Sequence, residues 1–463
     1  MHNAAASEVF DGLPPPQRRW AMFAIGLAIM MAVLDGTITN VALPTIARDL
    51  NATPADSVWV VNAYQLVITI LMLPLASLGE IVGYRRIYRI GLAVFTLSSL
   101  ACALSDSLLA LTLARVVQGV GAAGIMSVNA ALVRFIYPRE RLGRGIGIIA
   151  MVVAVSAAVG PTVAAAILSV ATWPWLFAVN VPIGIATLVA ARALPRTPRA
   201  ARRFDYFSAL LNALFFGLLI VAIDSVGHGA RAPVVLLAFA GAALSGVALV
   251  ARQLPQLSPL LPVDLLRIPL FALSIGTSVC SFVAQMLAFV AIPFYFQDVL
   301  GRDAVATGLL MTPWPVAAAV MAPIAGRLAD RHHPGLLGAL GLAAFAAGLA
   351  LLALLPASAG EANIVWRMAL CGAGFGLFQS PNNRAILTSA PPERSGGASG
   401  MLGTARLLGQ TTGAALVALM FGLAGAHATY WALGAGAGIA LLAAAVSGTR
   451  LIGNPGAAGR QRP

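Results

Sequence analysis

Charged residues are scarce in this sequence: of its 463 residues, 10% are charged and 59% are hydrophobic. Ordinary soluble domains carry about 25% charged residues, and so few charges cannot cover a surface that faces water. The composition therefore excludes a soluble enzyme. Because a membrane-spanning helix takes about 20 apolar residues, the chain has room for roughly fourteen spans joined by short loops.

Lysine is absent and cysteine is rare. All 29 basic residues are arginines, and because a P-loop needs a lysine, ATP-driven transport by this chain alone is excluded. Cys102, Cys280 and Cys371 lie far apart inside apolar runs, which excludes a disulfide framework or a metal cluster. We expect no cofactor, no metal and no nucleic-acid partner, despite a net charge of +13.

The apolar runs predict helices rather than strands. Transmembrane β-strands alternate apolar and polar residues over about ten positions, whereas these runs are apolar throughout, and a helix satisfies its backbone hydrogen bonds within its own segment. The expected fold class is an all-α polytopic membrane protein with helices at residues 20–43, 58–78, 87–105, 108–133, 143–170, 175–193, 207–225, 233–251, 271–296, 306–326, 335–355, 364–384, 399–424 and 428–447.

The arginines predict the orientation in the membrane. With the N-terminus in the cytoplasm, 23 arginines fall in cytoplasmic segments and four fall outside, while Arg115 and Arg406 lie within spans. The positive-inside rule therefore predicts that both termini are cytoplasmic. The first apolar run has no small-residue cleavage site after it, which indicates an uncleaved first helix rather than a signal peptide.

A weak internal repeat predicts two related halves. Residues 79–86 have a counterpart in residues 326–331, and residues 115–124 have one in residues 367–376 at nearly the same spacing. The richest basic loop, residues 192–203, separates six predicted helices from eight. Parallel repeats with a site between them near the membrane midplane are a known plan for transporters.

Five motifs together carry a family resemblance. They are LDGTITNVALP at residues 34–44, GEIVGYRR at 79–86, RVVQGVGAAG at 115–124, Gly160-Pro161, and NVPIG at 180–184. Over about residues 20–447, the chain resembles the major facilitator superfamily and, within it, the fourteen-helix drug:proton antiporters.

The resemblance implies a major facilitator fold of two six-helix bundles with two inserted helices between them. The corresponding segments are a cytoplasmic N-terminal tail (1–19), the N-terminal bundle (20–193), a basic cytoplasmic connector (194–206), the inserted helices (207–252), a cytoplasmic linker (253–270), the C-terminal bundle (271–447) and a cytoplasmic tail (448–463). The sequence departs from the family pattern at Glu80, Ile81 and Pro174, and Ser156, Ala164 and Ala165 replace glycines around Gly160.

Asp35 and Arg115 are the candidates for proton coupling. Asp35 lies near the middle of the first helix, where an ionised carboxylate costs at least about 2.5–3.5 kcal/mol. Protonation removes most of that cost, so the residue can carry a proton. Arg115 does not deprotonate, and the resemblance implies that it takes part in proton coupling. The alternatives are a structural acid at Asp35 and an arginine that reaches the membrane interface.

Charged residues at the cytoplasmic helix ends predict a gate. Carboxylates and arginines there can pair with each other and with helix dipoles, whereas simple membrane anchoring would explain only the arginines. A proline inside the fifth helix predicts a kink. The predicted gating residues are Glu80, Gly83, Arg85, Arg86, Arg327, Asp330, Arg331, Gly160 and Pro161.

Polar and aromatic residues inside the spans are candidates for substrate contact, although each alone also fits helix packing. Sites for amphipathic ligands combine apolar walls with a few polar groups, and aromatic faces attract cations. The predicted substrate-binding residues are Asn40, Asn62, Tyr64, Gln65, Asn129, Phe282, Gln285, Phe289, Tyr295, Trp314, Phe378, Gln379, Asn382, Arg406 and Gln410. Arg406 is a second buried cation, which could repel cations or receive an anionic group.

The leading interpretation is a proton-coupled exporter in a bacterial inner membrane. Its expected cargo is small lipophilic compounds, and cationic drugs are among the candidate cargoes. We expect a monomer whose partners are protons, a small lipophilic substrate and the lipid bilayer. A narrow exporter or a proton-coupled importer of one metabolite is the alternative. A membrane-embedded enzyme or receptor is disfavoured, because the ionisable residues within the spans are few and dispersed.

Overall fold

The computed structural model describes residues 12–201, 203–227, 229–255, 262–356, 358–391 and 394–450. Within these residues the chain forms long helices in the predicted order: α1 (Pro15–Asp49), α2 (Pro54–Val82), α3 (Tyr84–Ala103), α4 (Leu108–Ile136), α5 (Leu142–Leu168), α6 (Trp175–Ala193), α7 (Tyr206–Gly227), α8 (Ala232–Gln253), α9 (Pro269–Val299), α10 (Ala304–Leu328), α11 (Pro334–Ala353), α12 (Glu361–Ser389), α13 (Gly396–Ala424) and α14 (Ala428–Thr449). Single turn residues interrupt α2, α6 and α10 at Val58, Val179 and Thr312.

Thirteen of these described helices are long and apolar enough to cross a membrane. The exception is α12, because its predicted span at 364–384 contains Arg367, Gln379 and Asn382, which lower its hydropathy. α12 nevertheless packs against α9, α10 and α11. The all-α membrane fold is confirmed, whereas the count of fourteen spans and the cytoplasmic placement of both termini stay predictions.

Helix α1 extends beyond the predicted residues 20–43 at both ends. Pro15 and Pro16 occupy its first turn, where a proline costs no hydrogen bond, so α1 begins inside the predicted N-terminal tail. It ends before Asn51, whose φ of 51° is left-handed. The remainder of the two predicted tails (residues 1–11 and 451–463) and residues 256–261 of the predicted linker lie outside the described residues.

The helices form two bundles with equivalent contacts. In the first, α4 packs on α2 and α3, and α1 packs on α5 and α6. In the second, α12 packs on α10 and α11, and α9 packs on α13 and α14. These pairings correspond helix by helix when α1–α6 are matched in order with α9–α14.

Glycines permit the same close approach in both halves. A Cβ on Gly121 of α4 would lie 2.7 Å from the carbonyl oxygen of Gly91 in α3. A Cβ on Gly374 of α12 would lie 2.6 Å from the carbonyl oxygen of Gly341 in α11. Small residues let helix backbones pack closely, so the repeat predicted from the sequence is present in the packing.

Helices α7 and α8 pack on each other, and α7 also lies along both bundles. Trp59 Nε1 of α2 donates to Asp224 Oδ1 of α7 at 2.9 Å, and Asn212 Nδ2 donates to a backbone carbonyl of α2 at 2.8 Å. At the end of α7, Gly227 packs against the backbone of Leu419 in α13. The inserted pair therefore contacts the first bundle through α2 and the second through α13.

Candidate functional site

Asp35 and Arg115 form an ion pair inside the first bundle. Arg115 Nη1 donates to Asp35 Oδ2, and neither side chain is exposed to solvent. The pair joins α1 to α4 across 80 positions of sequence. Arg115 is thus a buried partner of Asp35, and the alternative in which it reaches the membrane interface is wrong.

Further polar side chains surround the carboxylate. Gln118 Nε2 donates to Asp35 Oδ1 at 2.9 Å, and Asn180 Nδ2 donates to the same oxygen at 3.2 Å. Gln118 also accepts from Arg115 Nη1 at 2.6 Å and donates to Ser99 Oγ at 2.9 Å. Asp35 is thereby connected to α4, to α6 and, through Gln118, to α3.

The guanidinium of Arg115 also contacts α2. Its Nε donates to the carbonyl oxygen of Val60 at 2.9 Å, and its Cζ lies 4.0 Å from the centre of the Tyr64 ring. A buried cation over an aromatic face gains about 2 kcal/mol. The Tyr64 hydroxyl donates to the carbonyl oxygen of Ala32 in α1 at 3.3 Å. One arginine therefore joins α1, α2 and α4.

This arrangement makes the packing of the first bundle depend on a buried ion pair. Breaking a buried ion pair leaves an uncompensated charge, at a cost of about 3–5 kcal/mol. Protonation of Asp35 would leave Arg115 in that situation, and Arg115 Nη2 already lacks a hydrogen-bond partner within the described residues. The contacts that the pair makes among α1, α2, α4 and α6 therefore depend on both charges being present.

Gln118 and Asn180 were not predicted as site residues. Gln118 follows Arg115 by three positions, which places both on one face of α4. Asn180 is the first residue of the NVPIG motif. Both signals are visible in the sequence, but neither indicates that the partner is Asp35.

A cavity of about 540 Å³ lies between the two bundles. Its wall comes from α1, α2, α4 and α5 on one side and from α9, α10, α12 and α13 on the other. Ten predicted substrate-binding residues line it: Asn40, Tyr64, Gln65, Phe282, Gln285, Phe289, Trp314, Gln379, Arg406 and Gln410. Thr37, Ser380 and Asn383 also line it and were not among the predicted residues.

The other predicted substrate-binding residues lie outside this wall: Asn62, Asn129, Tyr295, Phe378 and Asn382. Asn382 donates to Ser278 Oγ at 2.9 Å and accepts from Arg450 Nη1 at 2.9 Å. Burial lowers the pKa of Arg450 to about 10, so this guanidinium stays charged at neutral pH. In this conformation the five side chains pack within the bundles, and their assignment to substrate binding stays a prediction.

The cavity wall is mostly apolar, with aromatic rings, and about a third of its side chains are polar. The rings of Phe289 and Trp314 lie 4.9 Å apart, in an edge-to-face arrangement. Among the described residues that line the cavity, Arg406 carries the one charge. Asn40 Oδ1 and Trp314 Nε1 are buried and have no hydrogen-bond partner within the described part of the chain. The wall therefore combines one cation and neutral polar side chains with apolar ones, and the two unpaired atoms are buried within it.

Asp35 itself does not line the cavity, although its neighbours Gly36 and Thr37 do. Its side chain points into the first bundle, towards Arg115. Tyr64 contacts Arg115 and also forms part of the cavity wall. Changes at the ion pair can therefore reach the cavity through α1 and Tyr64.

Hydrogen bonds join the two bundles at the end opposite the arginine-rich loops, which we call the outer end. Arg48 Nη2 donates to Gln297 Oε1 at 2.8 Å, and the hydroxyls of Thr162 and Thr312 lie 2.8 Å apart. The cavity wall extends the other way, through Asn383 of α12. The structure therefore has a closed outer end and a cavity that extends towards the arginine-rich side.

Gly160 and Pro161 lie at the contact between the bundles. Gly160 packs directly on Thr37 of α1, and a Cβ on Gly308 of α10 would lie 2.6 Å from the Pro161 carbonyl oxygen. The segment of α5 for which the sequence predicts a kink therefore contacts α1 on one side and α10 on the other.

The predicted gating charges lie at the arginine-rich helix ends. Asp330 pairs with Arg384 of α12, a partner that was not predicted. Arg85 Nη2 donates to the carbonyl oxygen of Arg192 at 2.9 Å. Gly83 has a φ of 107°, which lets the chain turn from α2 into α3. Glu80, Arg86, Arg327 and Arg331 lie at the same helix ends, and their role in a gate stays a prediction.

Relatives of known name cover nearly the whole chain. It is 62% identical to the uncharacterized transporter YebQ of Escherichia coli (strain K12), over 95% of this chain and 97% of that protein. It is 30% identical to the riboflavin transporter RibZ of Clostridioides difficile (strain 630), over 88% of this chain and 89% of that protein. It is 31% identical to the multidrug resistance protein Stp of Mycobacterium tuberculosis (strain CDC 1551 / Oshkosh), over 86% of this chain and 74% of that protein.

Solved structures share the fold at low identity. A bacterial homolog of the human lysosomal transporter Spinster, inward-facing and unoccupied, matches with a TM-score of 0.68 and 16% identity over 94% of this chain and 97% of that one. A POT family transporter in complex with a thioalcohol-conjugated peptide matches with a TM-score of 0.70 and 13% identity, over 94% of this chain and 96% of that one.

The family model of the Major Facilitator Superfamily matches residues 25–414 and also residues 273–459. The second match begins near the start of α9, where the packing of the first bundle begins to repeat. Sequence and packing therefore agree that the chain belongs to the major facilitator superfamily and is a multi-pass membrane transporter.

Proposed function

We propose that this transporter is a proton-coupled exporter of small lipophilic compounds across the inner membrane of a bacterial cell, acting as a monomer and without a cofactor. The observation that carries the proposal is the buried Asp35–Arg115 pair, next to the cavity-lining residues Gly36 and Thr37. One proton at Asp35 alters the contacts of helices that also form the cavity wall.

The conformation described here suits loading of cargo from the cytoplasm. Asp35 is paired, and the cavity extends towards the arginine-rich side, which the positive-inside rule assigns to the cytoplasm. Once the loaded bundles open outward, Asp35 takes a proton from outside and Arg115 loses its counterion. Return to the inward conformation releases that proton and restores the pair. Proton entry and cargo exit then alternate.

The cavity wall supports a lipophilic cargo. Phe282, Phe289, Trp314 and Phe375 give it an aromatic face on the side of the second bundle, and such surfaces bind amphipathic ligands with little demand on their exact shape. The similarity to a protein named for multidrug resistance supports export as the direction of transport.

Transport of one metabolite is the second candidate function. Asn40 Oδ1 and Trp314 Nε1 are buried without protein partners in the described residues, and unpaired buried groups favour a ligand that completes their hydrogen bonds. The similarity to a riboflavin transporter supports this candidate. A panel of compounds distinguishes the two candidates, because a drug exporter accepts several unrelated compounds and a metabolite transporter accepts one.

The test is transport by the purified protein in proteoliposomes with an imposed pH gradient. The panel holds lipophilic fluorescent compounds of similar size that are cationic, neutral or anionic. We expect the wild type to accumulate at least one of them only when the gradient is present. We expect Asp35→Asn to lower this accumulation at least tenfold and to keep exchange of labelled for unlabelled compound, which needs no proton.

Asp106→Asn is the matched control, because Asp106 lies in an exposed loop and the substitution is chemically the same. It should transport like the wild type. Accumulation by Asp35→Asn at the wild-type level, or accumulation by the wild type without a gradient, would overturn the proposed coupling. Accumulation only under the reversed gradient would identify an importer.

A further inference from the structure

A second concave site lies at the arginine-rich end of the first bundle, away from the central cavity. Its volume is about 710 Å³, and it is formed by the start of α3, by α6 and by the basic connector. Five arginines line it, namely Arg85, Arg86, Arg89, Arg196 and Arg199. None of the described residues that line it is acidic. We call it the basic pocket.

The backbone of the connector is held against the ends of α2 and α3. The Tyr84 N–H donates to Thr197 Oγ1 at 3.1 Å, and the Ala200 N–H donates to the carbonyl oxygen of Glu80 at 2.7 Å. These bonds place Arg196 and Arg199 across the pocket from the arginines of α3. The shape of the pocket is therefore fixed by the bonds that hold the connector to the ends of α2 and α3.

The arginines of the basic pocket repel one another. Arg85 is within electrostatic range of Arg89, one helical turn away, and of Arg196 in the connector. Like charges held together destabilise each other unless an opposite charge lies between them. An anion in the pocket would remove this repulsion, and guanidinium groups bind phosphate through paired hydrogen bonds.

The pocket continues into an apolar surface. Ile90 and Ala93 of α3 and Leu188 of α6 line it below the arginines. Further into the span, Leu97 of α3 is 70% exposed and Ile185 of α6 is 56% exposed. A ligand with an anionic head and an apolar body would contact both surfaces, whereas a free phosphate ion or a nucleotide would contact the arginines alone.

We propose that the basic pocket binds an anionic phospholipid of the leaflet on the arginine-rich side, with the phosphate among the arginines and an acyl chain along α3 and α6. Basic pockets between spans on the cytoplasmic side are suited to anionic head groups. This site is separate from the cargo cavity, so the inference does not depend on what the protein transports.

The test is lipid binding by the full-length protein in detergent, measured by thermal unfolding and by native mass spectrometry. The probes are phosphatidylglycerol, phosphatidylcholine and inorganic phosphate. We expect phosphatidylglycerol to raise the unfolding temperature saturably, phosphatidylcholine to have little effect, and high salt to weaken the response. We expect Arg86→Gln/Arg89→Gln to raise the apparent Kd for phosphatidylglycerol about tenfold.

The matched control is Arg141→Gln/Arg144→Gln, which removes two exposed arginines with the same spacing at the start of α5. It should bind phosphatidylglycerol like the wild type. Arg86→Lys/Arg89→Lys keeps the charges and should retain the preference for the anionic lipid, so this variant and the salt series decide the question if the glutamine variant does not fold.

Three results would overturn the inference: equal responses to both lipids, wild-type binding by the folded glutamine variant, or binding of inorganic phosphate as tight as that of the lipid. The last result would identify a site for a free anion. Because no transport is measured, these outcomes are independent of the experiment on Asp35.

Discussion

At the scale of single residues, the Asp35–Arg115 pair has two separable roles, in stability and in proton exchange. Loss of one partner of a buried pair is strongly destabilising, whereas replacement of both by neutral groups is often nearly neutral. Gln118 and Asn180 hold the carboxylate from α4 and α6, and they can also bond to an amide. The stabilising role can therefore be restored without the ionisable group.

Arg115→Gln is expected to destabilise the protein by about 3 kcal/mol, because it leaves Asp35 buried without its counterion. The double variant Arg115→Gln/Asp35→Asn is expected to regain most of that loss and to remain inactive in proton-driven transport. Thermal unfolding in detergent and proton flux in proteoliposomes measure the two effects. Additive losses in the double variant would mean that the two residues act independently.

At the scale of helices, close backbone contacts define each half of the molecule. Gly91 and Gly121 bring α3 and α4 together, and Gly341 and Gly374 bring α11 and α12 together. A methyl group at Gly121 or Gly374 has a carbonyl oxygen in its way, whereas Gly147 of α5 has nothing within 4 Å of its Cβ position. A change to alanine should therefore destabilise the protein at Gly121 and Gly374 but not at Gly147.

Gly121→Ala and Gly374→Ala are each expected to destabilise the protein by about 1–3 kcal/mol, the usual cost of overpacking. Gly147→Ala, as the control, should leave stability unchanged or raise it by up to about 1 kcal/mol, because alanine is the better helix former. Unfolding temperatures of the three variants in one detergent check this. Equal behaviour of Gly374→Ala and Gly147→Ala would contradict the close packing of α11 and α12.

At the scale of the whole molecule, the two bundles meet at the outer end. Arg48 and Gln297 join α1 to α9, and Thr162 and Thr312 join α5 to α10. If transport requires the bundles to separate at this end, a covalent link between α5 and α10 should stop it.

Thr162→Cys/Thr312→Cys is expected to form a disulfide under oxidation, because the two hydroxyl oxygens that the sulfurs would replace lie 2.8 Å apart, within about 1 Å of the S–S bond length. Oxidation should abolish transport in proteoliposomes, and a reductant should restore it. The single-cysteine variants control for oxidation of Cys102, Cys280 and Cys371. Transport by the fully cross-linked protein would contradict opening at the outer end.

The sequence predicted most of the polar and aromatic residues of the cavity wall but not its limits. Tyr64, Gln65 and Gln410 were expected there and line it, whereas Asn382 was expected there and instead bonds Arg450. A polar residue inside a span must find a partner, but the sequence does not say whether that partner is a substrate or another helix.

The class of the molecule, its helices and its two candidate ionisable residues followed from the sequence, because hydropathy and the cost of burying a charge are properties of each segment. The tertiary structure decided which residues meet: Asp35 with Arg115 and Asn180, and Asp330 with Arg384. Those contacts depend on the rotation and tilt of whole helices, which are set by packing between segments far apart in the chain.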